Sequence, residues 1–358
     1  MDPVIAKPAK QYQKRRIAIK LLYLGWDYDG LVRQETTRNT IEEHLFHALL
    51  LTHMIDDRDT CNYHRSGRTD IAVSAFCQVV TLDVRSSGQE EELNYPFLLN
   101  KVLPADMRCI CWSPVAEEFT ARFSCRQRSY KYFFPRSSLN VDHMREAAQH
   151  LIGEQDFRNF CKLDANNHSK TIRHILSADI GNSDSDNKKG EGDNCSPYDI
   201  LCLTITARGF LWHQIRCILS LLFLVGEGKE SPDIVKDLLD LKKYPFKPQY
   251  QLASGLPLIL YDCLYADEEL DWIVDYKTLS EVVVSLQRQW TELTIKATMI
   301  MNMMRDISSL HPDLSGTKRQ HDCLSNEKSK KHHKRICDRP VSTKYPATNG
   351  RGVIKTDQ

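Results

Sequence analysis

In the segment 15–24, RRIAIKLLYL, β-prone residues fall at alternate positions, and a capped helix follows. Thr40 and Glu43 have the spacing of a capping box, with Leu45, Phe46, Leu49, Leu50 and Met54 at helical intervals behind it. Further strands are expected at 77–84, 108–112 and 129–134. A strand, a helix and then several strands make an α+β unit.

Similar content returns after residue 140. A helix is expected over 142–152, ended by Gly153, then strands at 171–180 and 199–207. The polar, glycine-containing stretch 181–197 between those strands reads as a flexible hairpin loop or an insertion. A strongly apolar helix at 211–225, an amphipathic one at 232–242 and a closing strand at 257–265 complete this half. Residues 272–310 read as mainly helical, with a Met-rich end at 299–304 suited to core or partner packing. Beyond 316 hydrophobic period is lost and a disordered tail is expected. The expected parts are therefore 1–140, 141–270, a helical extension 271–315 and a basic tail 316–358.

The chain's 358 residues, 41% hydrophobic and 27% charged, suffice for two ordinary cores. The longest apolar stretch, about nine residues at 217–225, falls short of the roughly 18 to 20 that a membrane span needs. The first sixteen residues, MDPVIAKPAKQYQKRR, lack the apolar core of a signal peptide, so a soluble intracellular protein is expected. The twelve cysteines are scattered and include no CxxC pair; Cys109 and Cys111 alternate as strand residues do. Buried reduced thiols are expected rather than a zinc site or disulfide framework. The net charge of +1 hides an asymmetry: residues 317–358 carry +7 and the remainder −6. A nucleic-acid partner would have to be held by local basic clusters.

Three stretches carry chemistry. Residues 63–70, YHRSGRTD, set Asp70 beside Arg65 and Arg68, and a carboxylate kept ionised by guanidinium groups suits a base or nucleophile; a turn-capping Asp70 is the bland alternative. Residues 121–136, ARFSCRQRSYKYFFPR, interleave five basic residues with five aromatics and contain no acid. Such a pattern suits phosphates and unpaired bases, although Tyr130, Tyr132 and Phe134, all on one strand face, also fit a core. In 209–217, GFLWHQIRC, Arg216 lies among apolar helical positions and needs a partner, while His213, one turn earlier, reads as structural.

Together these stretches resemble the tRNA pseudouridine synthase I family. SGRTDIAVSAFCQV is similar to its GRTD-containing motif, and ARFSCRQRSYKYFFPR and FLWHQIRCILSLLFLVGEGK to its second and third motifs in order and spacing. YLGWDYDG and ASGLPLILYDC also fit, so the resemblance runs from about Arg16 to Tyr265. It is nearest to the eukaryotic branch acting on tRNA positions 38 and 39.

The resemblance implies an α+β fold of two similar mixed sheet-and-helix halves facing each other across a basic cleft. It implies isomerisation of uridine to pseudouridine in the tRNA anticodon stem-loop, with no cofactor and no metal. Asp70 falls on the catalytic aspartate, Tyr130 on the tyrosine that stacks on the target base, Arg216 on the arginine paired with the aspartate, and Arg68 on the arginine that helps eject the base. One departure stands out: the family motif continues with Lys-Gly where this chain has Ile71 and Ala72. An alanine there restricts the loop if its φ is positive, and the lost lysine removes a cation. The rival reading is accordingly a non-catalytic tRNA-binding homologue. The basic run 328–335, KSKKHHKR, suits nuclear import, weak phosphate contact or simple solvation. Residence in nucleus and cytoplasm is expected, no membrane association is expected, and homodimer formation is left open.

Overall fold

The computed structural model describes residues 12–89, 91–162, 171–183, 196–310 and 333–341. It is an α+β protein of two compact units, one formed by 1–126 with 263–295, the other by 127–262 with 296–358. The first unit passes into the second at Arg126/Gln127, and the strand that follows pairs within the second unit.

In the first unit, β1 (Lys14–Tyr23) lies between β3 (Ser74–Arg85) and β4 (Met107–Pro114), antiparallel to both. Flanked on both edges, β1 is buried almost throughout: Ile17, Ala18, Ile19, Leu21 and Tyr23 are inaccessible. Such burial explains why apolar residues also occupy its intervening positions. Helix α1 (Ile41–Leu51) starts as its sequence requires, with the Thr40 hydroxyl accepting from the Glu43 amide at 3.3 Å. The two-residue strand β2 (His64–Arg65) pairs with β3, and α2 (Tyr95–Asn100) precedes β4. Neither is evident in the sequence.

In the second unit, β5 (Gln127–Pro135), β8 (Ile200–Ala207), β7 (Ile172–Asn182) and β6 (Gly153–Asp156) form an antiparallel series in that order. Helix α3 (Val141–Gln149) follows β5, and α4 (Gln214–Gly226) and α5 (Asp233–Leu239) follow β8. Tyr130, Tyr132 and Phe134 point to one face of β5, as alternation requires. Phe223 of α4 meets Tyr132 and Phe134 edge-on at 6.1 and 5.5 Å. Gly226 lies so close to Met144 that a Cβ would sit 2.6 Å from its sulfur, which brings α3 and α4 together.

Strand β9 (Leu258–Leu264) leads into the 34-residue helix α6 (Tyr276–Ser309). The expected loop 181–197 lies mostly outside the described residues, as does most of the expected tail. Residues 333–341 depart from the tail expectation: they are ordered against the second unit, with Ile336 fully buried. Among the described residues, nine of ten cysteines are buried, all are free, and none forms part of a metal-ligating cluster. Burial pushes the Cys111 thiol up to about 12. No described helix is long and apolar enough to cross a membrane.

Candidate active site

Asp70, half-buried, lies in the loop between β2 and β3. The loop is pinned from both sides. The Leu31 amide donates to the Thr69 carbonyl at 3.2 Å, and the Ala72 amide to the Tyr28 carbonyl at 3.2 Å. The buried hydroxyls of Tyr23 and Thr69 are 2.8 Å apart, and burial raises Tyr23 far above the ordinary phenol range, so it stays protonated. After the turn, the Val73 amide returns to the Asp70 carbonyl at 3.2 Å.

Two glycines make this grip sterically allowed. A Cβ on Gly25 would come within 2.0 Å of the Val73 carbonyl oxygen. Gly30, at φ +99°, would bring a Cβ to 3.2 Å from the Thr69 carbonyl oxygen and 3.3 Å from the Asp70 carbonyl carbon. The segment 24–31 is thus a mould for the Asp70 loop, a role that the motif YLGWDYDG alone does not disclose. Tyr28 fixes the mould further, its hydroxyl donating to Asp106 Oδ1 at 2.7 Å.

The root of the loop is equally tied. The buried Ser66 hydroxyl bonds Gln78, whose amide donates to the Gly67 carbonyl at 2.9 Å. Arg65 pairs with the buried Glu42 of α1, which also accepts from the Arg33 amide at 3.0 Å. A buried carboxylate needs such partners, and this one joins β2 to α1. Arg68 is exposed and Ile71 is 60% exposed, so the position where the resembled motif has lysine faces solvent. Ala72 adopts φ +64°, the left-handed conformation that the resembled glycine would take without strain.

In the second unit, Tyr130 is 8% exposed, pairs with Ile205 across β5 and β8, and meets Phe210 edge-on at 5.3 Å. Phe210 belongs to the loop 208–213 that opens α4. His213 begins that helix at φ +62°, an uncommon conformation for a residue with a side chain. Buried Gln214 folds back, its Oε1 accepting from the Leu211 amide at 2.7 Å. One turn into the helix, half-buried Arg216 donates from Nε to the Ala253 carbonyl at 2.7 Å.

Asp70 and Arg68 thus share one loop of the first unit, while Tyr130 and Arg216 lie on β5 and α4 of the second. Sequence reasoning missed the residues that hold these groups: Gly25, Tyr28 and Gly30 around Asp70, Ala253 against Arg216, and Gln214 in the turn that opens α4. The motif YLGWDYDG was the available signal for the first three.

Residues 147–266 match the family model described as tRNA pseudouridine synthase. The probable tRNA pseudouridine synthase of Caenorhabditis elegans is 38% identical over 356 residues, which cover 93% of this chain and 85% of that protein. The tRNA pseudouridine synthase A of Methanothrix thermoacetophila is 32% identical over 297 residues, 81% of this chain and 99% of that protein. Human tRNA pseudouridine(38/39) synthase is 42% identical over 318 residues, 83% of this chain, and the match spans 65% of the human protein's length. With identity of this level over most of this chain and of two such relatives, the chain belongs to the tRNA pseudouridine synthase family.

Proposed function

We propose that this protein is an isomerase that converts uridine to pseudouridine in the anticodon stem-loop of tRNA, at positions 38 and 39. The carrying observation is the Asp70 loop: a half-buried aspartate on a turn held by backbone bonds to Tyr28 and Leu31. A catalytic group must be fixed in place and reachable by substrate, and a pinned, half-buried turn supports that role for Asp70.

In this reading the N1–C1′ bond of the target uridine breaks, the uracil turns, C5 joins C1′, and the C5 proton passes to N1 through solvent. No atom is gained and nothing is oxidised, so the overall conversion consumes no cofactor. Asp70 serves either as nucleophile at C1′ or as base toward the sugar C2′ proton. Tyr130 stacks on the freed uracil, Arg216 pairs with the Asp70 carboxylate, and Arg68 helps eject the base from the stem. Extruding a stem base costs a few kcal/mol, which contacts to the RNA must repay.

Homodimer formation is part of the proposal. Its support is a seam on α6, where exposed Val283, Trp290, Leu293, Ile300, Met304 and Ile307 follow heptad a and d spacing. Residence in both nucleus and cytoplasm also belongs to the reading, supported by the basic run 328–335, of which 328–332 lie outside the described residues.

The test is incubation of purified protein with an anticodon-arm transcript, followed by pseudouridine mapping. Wild type forms pseudouridine; Asp70→Asn forms none and binds tRNA within a few-fold. A wild type that binds the transcript without modifying it would establish the binding-only homologue instead.

A further inference from the structure

We propose that the C-terminal segment 333–341 is a positioning strap for Arg216, acting through the irregular segment 247–253. The proposal rests on the reading of Arg216 given above and adds residues beyond the stretch that carries the family resemblance.

Residues 247–253 belong to no regular strand, so most of their backbone groups need partners from elsewhere in the fold. One side of the segment is bound to α4. The Ser220 hydroxyl donates to the Gln251 carbonyl at 2.5 Å, Arg216 Nε to the Ala253 carbonyl at 2.7 Å, and the Ala253 amide to the Arg216 carbonyl at 3.3 Å. Its earlier residues are bound to the strap. The Gln249 amide donates to the Pro340 carbonyl at 2.9 Å, Arg339 Nη1 donates to the Gln249 carbonyl at 3.4 Å, and Pro248 bridges Val341 in antiparallel fashion.

The strap is itself anchored at its other end. Ile336 is wholly buried, and its amide donates to Glu230 Oε1 at 2.7 Å. The same oxygen lies 2.9 Å from His333 Nε2, and the Glu230 side chain is only 6% exposed. Arg339 closes the turn by donating from Nε to the Lys334 carbonyl at 2.8 Å. A buried anchor at Glu230 and a backbone zipper at 248–249 therefore restrain the chain whose Ala253 carbonyl orients the Arg216 guanidinium. A long arginine side chain loses its preferred setting when such an acceptor becomes mobile.

The experiment uses the full chain with Ile336→Asp, Ile336→Val and Arg339→Ala, each with and without Arg216→Ala. Amide hydrogen exchange is read at 247–253, and kcat and KM for pseudouridine formation on an anticodon-arm transcript are read alongside in the steady state. Ile336→Asp should speed exchange at Gln249 and Ala253 and lower kcat by about tenfold to a hundredfold, the scale of a small misplacement at a reacting centre. KM should change less than kcat, Ile336→Val should restore both readouts, and Arg339→Ala should move both the same way by less. In the Arg216→Ala background, Ile336→Asp should cost no further rate, because both changes remove one function. Unchanged exchange at 247–253 in Ile336→Asp and Arg339→Ala overturns the strap, as do rate losses that multiply independently with Arg216→Ala. Should wild type form no pseudouridine, the catalytic reading fails, and the exchange result still decides whether the strap holds the segment.

Discussion

The Ala72 amide donates to the Tyr28 carbonyl at 3.2 Å while Ala72 itself sits at φ +64°. The hydrogen bond that pins the Asp70 loop therefore holds an alanine in a conformation costing an L-residue roughly 1 to 2 kcal/mol. Replacing it with glycine removes that strain and adds roughly 0.5 to 1 kcal/mol of unfolded-chain entropy to be lost on folding. Ala72→Gly should thus stabilise the protein by about 0.5 to 1 kcal/mol. The urea midpoint checks this, and a midpoint that stays or falls would show that the turn is unstrained. Ala72→Val, β-branched at the same φ, should lower the midpoint.

Gly30 stands on the opposite side of the same loop, also left-handed at φ +99°. A methyl group there meets backbone at Thr69, Asp70 and Ile71 rather than the yielding end of a side chain. Gly30→Ala should destabilise by more than about 1 kcal/mol, since backbone conformation and space are both wrong. It should also lower kcat with little change in tRNA affinity, because the displaced group is Asp70. Equal losses in affinity and rate would mean that the mould contacts RNA directly.

Glu92 provides a pH-dependent test of the first unit's frame. Burial opposes its ionisation, but the Ser86 hydroxyl, the Ser87 and Leu93 amides and Arg15 together outweigh that and hold the carboxyl down to about 2. Its folded value is below the unfolded value of about 4.3, so the stability it contributes is present above pH 4.3 and fades as pH falls towards 2. Allowing for screening at this partly exposed pair, Glu92→Gln should cost about 1 to 2 kcal/mol at pH 7. Urea denaturation of wild type and variant at pH 7 and near pH 2.5 reads the difference, which should shrink steeply at the lower pH. A difference independent of pH would point to lost packing instead.

Period-2 and period-3.6 patterns made β1, β3, β5, α1 and α4 legible, because each buries a face large enough to dictate which residues line it. β2 and α2 were not legible: two and six residues are too few to show a period, and both are held by tertiary contacts such as Arg65 with Glu42. At the site, Asp70, Arg68, Tyr130 and Arg216 stood out as polar or charged groups in unusual company. Gly30 and Ala253 did not, since their work is done by a backbone shape and a carbonyl that every residue shares. The loss of hydrophobic period beyond 316 also hid the ordered segment 333–341. A single buried Ile336 and the backbone at 340 hold that segment, and neither makes a periodic pattern.

Tyr130 separates stacking from hydroxyl chemistry. Its neighbours on the same β5 face, Tyr132 and Phe134, are sealed beneath Phe223, while Tyr130 lies further along the strand against Phe210 and keeps 8% of its surface accessible. An aromatic ring at the margin of a core can offer its remaining surface to an extruded base, whereas a sealed one cannot. Tyr130→Phe should then retain most of the pseudouridine-forming rate, since the ring survives. Tyr130→Ala should lose roughly tenfold to a hundredfold, the equivalent of the 1 to 3 kcal/mol carried by one base–aromatic stack. Phe210 supports the ring edge-on, so Phe210→Ala should produce a smaller loss that Tyr130→Ala largely subsumes. Single-turnover rates at saturating transcript, compared with thermal midpoints for each variant, make the distinction. Wild-type rates for both Tyr130→Phe and Tyr130→Ala would remove stacking as the role, whereas equal and large losses in both would transfer the role to the hydroxyl.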